Sequence, residues 1–175
     1  MAVAVDRVDE FVGADREGFA QALGGIDVLV CCAGGVRGQV GRPLVEINED
    51  DWHVIFEANL ESTLWCAQAA APIMQKAGQG RIVTIASGAG LRPSLTGIQA
   101  YTSAKHALVG LTRQLSVELG GFGVTVNAVA PGFVETPILG TIPEKVLTQM
   151  RDQVPLQRLG QPQDIANAVK KENRP

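Results

Sequence analysis

The 175-residue chain lacks several features that define whole classes of protein. It has no apolar run of about 18 residues, so no segment is predicted to cross a membrane. The chain has 15 Lys and Arg and 18 Asp and Glu, and this slightly acidic balance argues against a nucleic-acid binder, which usually carries a basic patch. Asp6, Arg7, Asp9 and Glu10 stand where a signal peptide would need an apolar core. We therefore expect a cytoplasmic protein with no membrane or nucleic-acid partner.

Cysteine and aromatic residues are scarce, whereas glycine is abundant. Cys31, Cys32 and Cys66 form an odd set without metal-ligand spacing, so neither a disulfide framework nor a metal site is predicted. Because Cys31 and Cys32 lie in an apolar run, we expect both to be buried, reduced thiols. The chain has 20 glycines, well above the usual level of about 7%. A chain rich in glycine and small aliphatic residues is typical of buried parallel strands joined to helices by tight turns.

Short apolar runs alternate along the chain with amphipathic stripes. The runs predict buried strands at 26–33, 81–86 and 124–129, with a weaker strand at 2–5. The stripes predict helices at 9–23, from an Asn48 cap through Ala67, from Tyr101 to Gly120-Gly121, near 144–152 and from Pro162 onward. This alternation predicts an α/β fold with a doubly wound parallel sheet, as one domain over 1–169 followed by a charged tail over 170–175.

In a parallel sheet of this kind, ligands bind at the carboxyl ends of the strands. Three features of the sequence fall there: Cys32-Ala33-Gly34, Ser87 and Pro131-Gly132. Gly34 allows a ligand to approach the backbone closely, but a glycine is also common in any strand-to-helix turn. Ser87 is equally open to two interpretations, as a catalytic hydroxyl or as the hydroxyl that begins a loop.

Tyr101 and Lys105 form a more informative pair. At positions i and i+4 of a helix they project from the same face, one turn apart. A neighbouring ammonium favours the phenolate of a tyrosine and moves its pKa toward the range useful for general acid/base catalysis. The alternative interpretation is a core tyrosine beside a surface lysine.

Asn59 lies on an apolar helical stripe, where a polar amide needs hydrogen-bond partners. It either satisfies backbone groups between helix and sheet, or holds a water near a catalytic lysine.

Considered together, these residues resemble the short-chain dehydrogenase/reductase family in order and spacing over about 5–169. The matching elements are Asn59, Ser87, Tyr101-x-x-x-Lys105 and Pro131-Gly132-x-x-x-Thr136. The resemblance implies an NAD- or NADP-dependent oxidoreductase that interconverts a ketone and a secondary alcohol. It is best to the branch that contains 3-oxoacyl-carrier-protein reductases and general oxidoreductases of the family.

The resemblance also implies a role for each of four catalytic residues. Tyr101 would protonate the carbonyl oxygen or deprotonate the alcohol, and Lys105 would lower the tyrosine pKa and bind the nicotinamide ribose. Ser87 would hold the substrate oxygen, and Asn59 would support a proton-relay water beside Lys105. The hydride chemistry itself would belong to the cofactor.

Further residues are implied to hold the cofactor. The backbone of Val134 and the hydroxyl of Thr136 would hold the nicotinamide carboxamide, while Ala33 and Gly34 would border the ribose. Asp6 is similar to the aspartate that the family places near the adenine, with Asp15 as a competing assignment. The implied cofactor-binding set is Asp6, Ala33, Gly34, Asn59, Tyr101, Lys105, Pro131, Gly132, Val134 and Thr136.

The sequence departs from the family pattern in three places. Cys31-Cys32 replaces the usual Asn-Asn before Ala-Gly. The glycine-rich pyrophosphate turn, with the first strand–helix–strand unit, is expected before residue 1, and the last strand of the family is expected beyond Val169. Without the missing strands, the strand at 26–32 is predicted to become an apolar edge of the sheet.

Self-association is implied by the resemblance as well. The helices at 50–75 and 99–120 are similar to those that build the family's dimers and tetramers. A rival hypothesis follows from the same departures: a catalytically silent chain that acts only through oligomerisation.

Overall fold

The fold was obtained as a computed structural model, which describes residues 2–5 (backbone only), 25–94, 96–137, 139 and 143–172. The chain separates into two compact units, Met1–Ala130 and Pro131–Pro175, and each is described by itself. The predicted helix at 9–23 lies outside the described residues.

The first unit is built on a four-stranded parallel sheet. Its strands are β1 (Ala2–Val5), β2 (Val28–Cys31), β3 (Gly80–Ile85) and β4 (Val124–Val129), in the spatial order β1-β2-β3-β4. The four predicted strands are therefore confirmed, with β2 shorter than its apolar run. An α/β fold with a parallel sheet results, as the alternation of runs and stripes predicts.

The prediction that residues 26–32 form an edge strand is wrong. β1 pairs with β2 in parallel, from Ala2 opposite Val28 to Val5 opposite Cys31, and β3 pairs with the other side of β2. An unpaired edge of β2 would present a row of backbone N–H and C=O groups without partners. The segment β1 satisfies them, so β2 is an interior strand.

Among the described residues, three helices lie between β2 and β4. The helices are α1 (Glu49–Phe56), α2 (Ser62–Ala77) and α3 (Gln99–Gly120). The predicted cap is confirmed, since Asn48 Oδ1 accepts a hydrogen bond from the backbone N–H of Asp51 at 2.8 Å. The apolar stripe after Asn48 is not one regular helix, because a π-helical turn (Glu57–Glu61) separates α1 from α2.

Two shorter turns also belong to the first unit. Single 3-10 turns lie at Leu44–Glu46 and Gly88–Gly90. Among the helices that the structure describes, none is both long enough and apolar enough to span a bilayer.

One face of the sheet carries the main core of the first unit. Leu29, Ile82 and Val126 are buried neighbours on adjacent strands, and α2 packs onto them. Cys31 is buried there beside Cys66; a hydrogen bond with the Cys66 thiol and burial raise the pKa of the Cys31 thiol, which keeps it protonated. Cys32 is exposed, so the expectation that both thiols are buried is wrong for Cys32. β2 ends at Cys31, and Cys32 already lies beyond the strand.

Within its described residues, the second unit contains two helices. They are α4 (Glu144–Asp152) and α5 (Pro162–Glu172), which confirms both predicted segments. α5 continues through the first residues of the predicted charged tail. At its start, Asp164 accepts hydrogen bonds from the backbone N–H of Gln161 and from Arg158, both at 2.8 Å. The Arg158 guanidinium holds the pKa of the Asp164 carboxyl below its usual value.

Gly123→Ala is expected to lower the free energy of unfolding by about 2 kcal/mol. Gly123 has φ +75°, a left-handed conformation that costs a residue with a Cβ roughly 1–2 kcal/mol. The new methyl group would also collide with the backbone carbonyl of Gly78. Urea unfolding checks the prediction, with Gly121→Ala as the control, because Gly121 has φ −62° and open space around it. Equal stabilities of the two variants would contradict it.

Candidate active site

The residues that end β2 and β3 place two of the predicted site elements at one edge of the sheet. Ala33 and Gly34 follow β2, with Ala33 buried and Gly34 exposed. Ser87 follows β3, whose end is held by a hydrogen bond from the N–H of Ala86 to the carbonyl of Val129 at 2.8 Å. Since the carboxyl ends of parallel strands lie at the same edge, this is the edge where ligands bind in such sheets.

Asn59 lies fully buried in the π-helical turn, with its amide engaged by backbone groups. Its Oδ1 accepts a hydrogen bond from the N–H of Gly35 at 2.9 Å. Its Nδ2 donates to the carbonyls of Gly35 and Ile55, both at 2.9 Å. Both Nδ2 protons are thereby used, so the amide fixes the turn after β2 onto the helical layer. A water beside Asn59 would have to use the remaining acceptor capacity of Oδ1 or the backbone.

Gly34 lies where this turn passes close to Asn59 and Lys105. Its φ is +144°, and a Cβ at this position would lie 2.5 Å from Asn59 Oδ1 and 3.4 Å from Lys105 Nζ. A side chain at residue 34 would therefore fill the space in which the Asn59 amide and the Lys105 ammonium meet the backbone. The structure thus brings Gly34, Asn59 and Lys105 together.

Lys105 is a buried lysine, only 4% exposed, and the interpretation as a surface lysine is wrong. Its Nζ donates a hydrogen bond to the carbonyl of Ile85 at 2.8 Å. Burial lowers the pKa of Lys105 from 10.5 to about 8, and the nearby Cys32 partly opposes that shift. At neutral pH the group is therefore mainly an ammonium, held at the end of β3.

Tyr101 lies one helical turn before Lys105, on the same face of α3. The Lys105 Nζ is 5.6 Å from the centroid of the Tyr101 ring, as the i, i+4 spacing predicts. The half-buried ring packs against a small cluster in which Ile55 and Ala104 are buried and Trp52 stacks on Phe56. The phenol is thus held by apolar contacts from α1 and α3.

Ser87 has an extended backbone and caps the 3-10 turn that follows β3. Its Oγ accepts a hydrogen bond from the N–H of Ala89 at 3.2 Å. The hydroxyl proton finds no acceptor in the part of the chain that the structure describes. Ser87 thus has the loop-capping role that its position suggests, and it retains a donor.

The remaining predicted residues belong to the second unit or are not described. An isolated parallel bridge joins Val134 to Gly160. In it, the N–H of Glu135 donates to the carbonyl of Gly160, and the N–H of Gly160 donates to the carbonyl of Phe133. The backbone groups of Val134 itself are not used in that bridge. Thr136 is exposed, as is Gly132, and Pro131 is half-buried. Asp6 and its competitor Asp15 lie outside the described residues.

Two contacts that contribute to this geometry were not predicted from the sequence. Gly35 pairs with the Asn59 amide, and Ile85 accepts from Lys105, in both cases through backbone atoms. A backbone contact leaves no signal in the residue type. Over the described residues, no group of three His, Cys, Asp or Glu side chains could hold a metal ion.

The residues around Gly34 fit the ribose and nicotinamide part of a dinucleotide. No heavy atom lies within 4 Å of a Cβ position at Gly35, so the backbone after β2 is open. Within the described residues, Lys105 Nζ donates one hydrogen bond, to the carbonyl of Ile85. Its other N–H groups can donate to ribose hydroxyls. The Tyr101 hydroxyl adds a group that can donate or accept.

Comparison with known proteins identifies relatives of the chain in sequence and in fold. The sequence matches the family described as "Enoyl-(Acyl carrier protein) reductase" over residues 7–170. It is 44% identical over 148 residues to (2S)-[(R)-hydroxy(phenyl)methyl]succinyl-CoA dehydrogenase subunit BbsD of Thauera aromatica, covering 85% of this chain and 58% of that protein. It is 35% identical over 164 residues to the 3-oxoacyl-[acyl-carrier-protein] reductase FabG of Thermotoga maritima, covering 94% and 63%.

Among solved structures, the fold is similar to that of ElxO with NADP bound. The TM-score is 0.82 at 30% sequence identity, over 95% of this chain and 66% of that one. The chain spans less than two thirds of the length of each of these proteins.

Proposed function

The chain belongs to the short-chain dehydrogenase/reductase family, and from this premise we propose that it acts as an NAD(P)(H)-dependent oxidoreductase. The reaction is the interconversion of a ketone and a secondary alcohol, with Tyr101 as the general acid/base. The observation that carries the proposal is the buried Lys105 ammonium, which lies between the Tyr101 ring and the Gly34 backbone at the carboxyl edge of the sheet.

A buried, charged lysine is costly unless the fold gains something from it. Lys105 makes a single hydrogen bond within the described residues, to a backbone carbonyl. A purely structural role would be served as well by an apolar side chain of similar length. The Lys105 ammonium lies 5.6 Å from the centroid of the Tyr101 ring, where it can offset the negative charge that develops on the tyrosine oxygen during proton transfer.

In the direction of reduction, a bound nicotinamide would supply the hydride that reduces the carbonyl carbon. Ser87, through its hydroxyl proton, donates a hydrogen bond to the carbonyl oxygen and orients it. The Tyr101 hydroxyl transfers its proton to the same oxygen, which gives the alcohol and a phenolate. The Lys105 ammonium stabilises that phenolate until it takes a proton from water. In the reverse direction the phenolate accepts the proton of the alcohol.

Several residues are proposed to hold the cofactor. Lys105 and Tyr101 contact the nicotinamide ribose, bordered by the backbone of Ala33 and Gly34, with Asn59 supporting a relay water. The remaining proposed contacts are the Val134 backbone and the Thr136 hydroxyl for the carboxamide, together with Pro131, Gly132 and, near the adenine, Asp6.

The proposed substrate class is a 3-oxoacyl or 3-hydroxyacyl thioester. The two relatives described above support this class, since one is named for an acyl-carrier-protein substrate and the other for a coenzyme A substrate. The shared chemistry is a carbonyl or hydroxyl group on a carbon near a thioester.

The active form is proposed to be a homodimer or homotetramer. Two exposed valines support this proposal: Val54 on α1 is 45% exposed and Val117 on α3 is 79% exposed. Both lie on the helices to which the resemblance assigns self-association. Single apolar side chains are normal at a protein surface, but an interface formed by these helices would bury both valines.

Titration with NADH and NADPH is expected to give saturable binding of at least one nucleotide. Enhanced nicotinamide fluorescence at micromolar protein measures it, and displacement by the matching oxidised nucleotide is the control. If neither nucleotide binds at millimolar concentration while the chain still self-associates, the rival hypothesis of a silent oligomerising chain replaces this proposal. If one binds, turnover is then assayed with a 3-oxoacyl thioester.

A further inference from the structure

Gly90 is a buried glycine that lies against the backbone of Lys105. It ends the 3-10 turn between β3 and α3 (Gly88–Gly90). A Cβ at Gly90 would lie 2.6 Å from the carbonyl oxygen of Lys105, 2.9 Å from its carbonyl carbon and 3.1 Å from its Cβ. These are atoms of a helix backbone and its first side-chain carbon, so no flexible chain end can move aside for a methyl group.

The turn that contains Gly90 also carries Ser87. The N–H of Gly90 donates to the Ser87 carbonyl at 2.8 Å, and the N–H of Ala89 donates to Ser87 Oγ at 3.2 Å. Ser87 and Gly90 are therefore joined within a single hydrogen-bonded turn. A displacement of Gly90 away from α3 moves the Ser87 hydroxyl with it.

The helix on the other side of this contact is fixed to the sheet. Lys105 Nζ donates to the Ile85 carbonyl at 2.8 Å, and one side-chain hydrogen bond of 2.9 Å joins Thr84 on β3 to Thr112 on α3. α3 has 22 residues, whereas the turn has three. A collision between the two is therefore relieved by movement of the turn.

We infer that Gly90 is a positioning residue: its missing side chain sets the distance between the Ser87 hydroxyl and the Tyr101–Lys105 pair. The inference rests on the proposed function, in which Ser87 and Tyr101 act on the same substrate oxygen. Reacting groups must be placed to within a fraction of an ångström, and a misplacement of about 1 Å can cost as much as 100-fold in rate.

A double-mutant cycle tests the inference. Gly90→Ala is expected to lower kcat by roughly 10- to 100-fold, with the Kd of the reduced nucleotide within about twofold of the wild type. In the Ser87→Ala background the same change should lower kcat by no more than about threefold, because Ser87 no longer contributes. If the two losses multiply, or if Gly90→Ala is as active as the wild type, Gly90 does not act through Ser87.

A matched control and a second variant accompany the cycle. Gly120→Ala changes an exposed glycine in the last turn of α3, with no atom within 4 Å, and should leave kcat unchanged. Because an alanine stabilises a helix relative to glycine, Gly90→Ala/Gly120→Ala replaces Gly90→Ala if the single variant does not accumulate in folded form.

Crystal structures of the wild type and Gly90→Ala separate this inference from the proposed function. A wild type without turnover overturns the proposed function alone. The inference then depends on whether the Ser87 turn has moved away from α3 in the variant. An unmoved turn, or a moved α3 beside a fixed turn, overturns the inference whatever the activity.

Discussion

Tyr101→Phe is expected to reduce kcat by roughly 100- to 10,000-fold, the range that a general acid/base contributes, while the Kd of the reduced nucleotide rises by no more than about tenfold, the effect of losing one hydrogen bond to the ribose. The substitution removes the phenol oxygen and nothing else. The aromatic ring keeps its packing against Ile55 and Ala104, so the local fold is preserved. Without that oxygen, no proton can pass between residue 101 and the substrate oxygen. Steady-state turnover and nicotinamide fluorescence measure the two quantities on the same preparation.

The next residue provides the matched control for this experiment. Thr102 also carries a hydroxyl on α3, and its buried Oγ1 has no hydrogen-bond partner in the described part of the chain. Thr102→Val removes that hydroxyl at constant shape, and kcat should not fall. Retained turnover in Tyr101→Phe would remove Tyr101 from the proposed role. An equal loss in Thr102→Val would point to a disturbed helix and not to proton transfer.

The features that the sequence predicts well are those coded by side chains acting locally. Asn48 predicts a helix start because its short side chain can accept from a backbone N–H three residues on, and it does so. The apolar runs predict parallel strands because burial on both faces demands continuous apolar residues. Tyr101 and Lys105 are predicted to be neighbours by the helical repeat alone, and they are.

The features that the sequence does not predict depend on backbone atoms or on chain segments far apart. The amide of Asn59 could have served several groups, and its pairing with Gly35 arises only when the turn after β2 meets the π-helical turn. Lys105 appears exposed from its residue type but is buried by the approach of Gly34 and Ile85. The edge prediction for 26–32 failed because β1 pairs with β2 directly.

Lys105→Met is expected to change how stability depends on pH. In the folded chain the Lys105 pKa is about 8, whereas its ordinary value is 10.5. Between these two pH values the unfolded chain therefore binds more protons than the folded chain, and the stability of the wild type rises with pH. The depressed pKa corresponds to a penalty of about 3 kcal/mol at neutral pH, which is relieved across this window. The methionine variant carries no such penalty.

The difference in free energy of unfolding between wild type and Lys105→Met is thus expected to shift by about 3 kcal/mol in favour of the wild type from pH 7 to pH 10.5. Urea unfolding at intervals of one pH unit measures it. Lys76→Met is the control, because Lys76 is exposed on α2 and the same substitution there removes a lysine from the surface. Parallel curves for wild type and Lys105→Met would contradict the burial of a charged Lys105. A confirmed shift would mean that the fold retains a lysine which destabilises it at neutral pH, as expected for a group retained for its charge beside Tyr101.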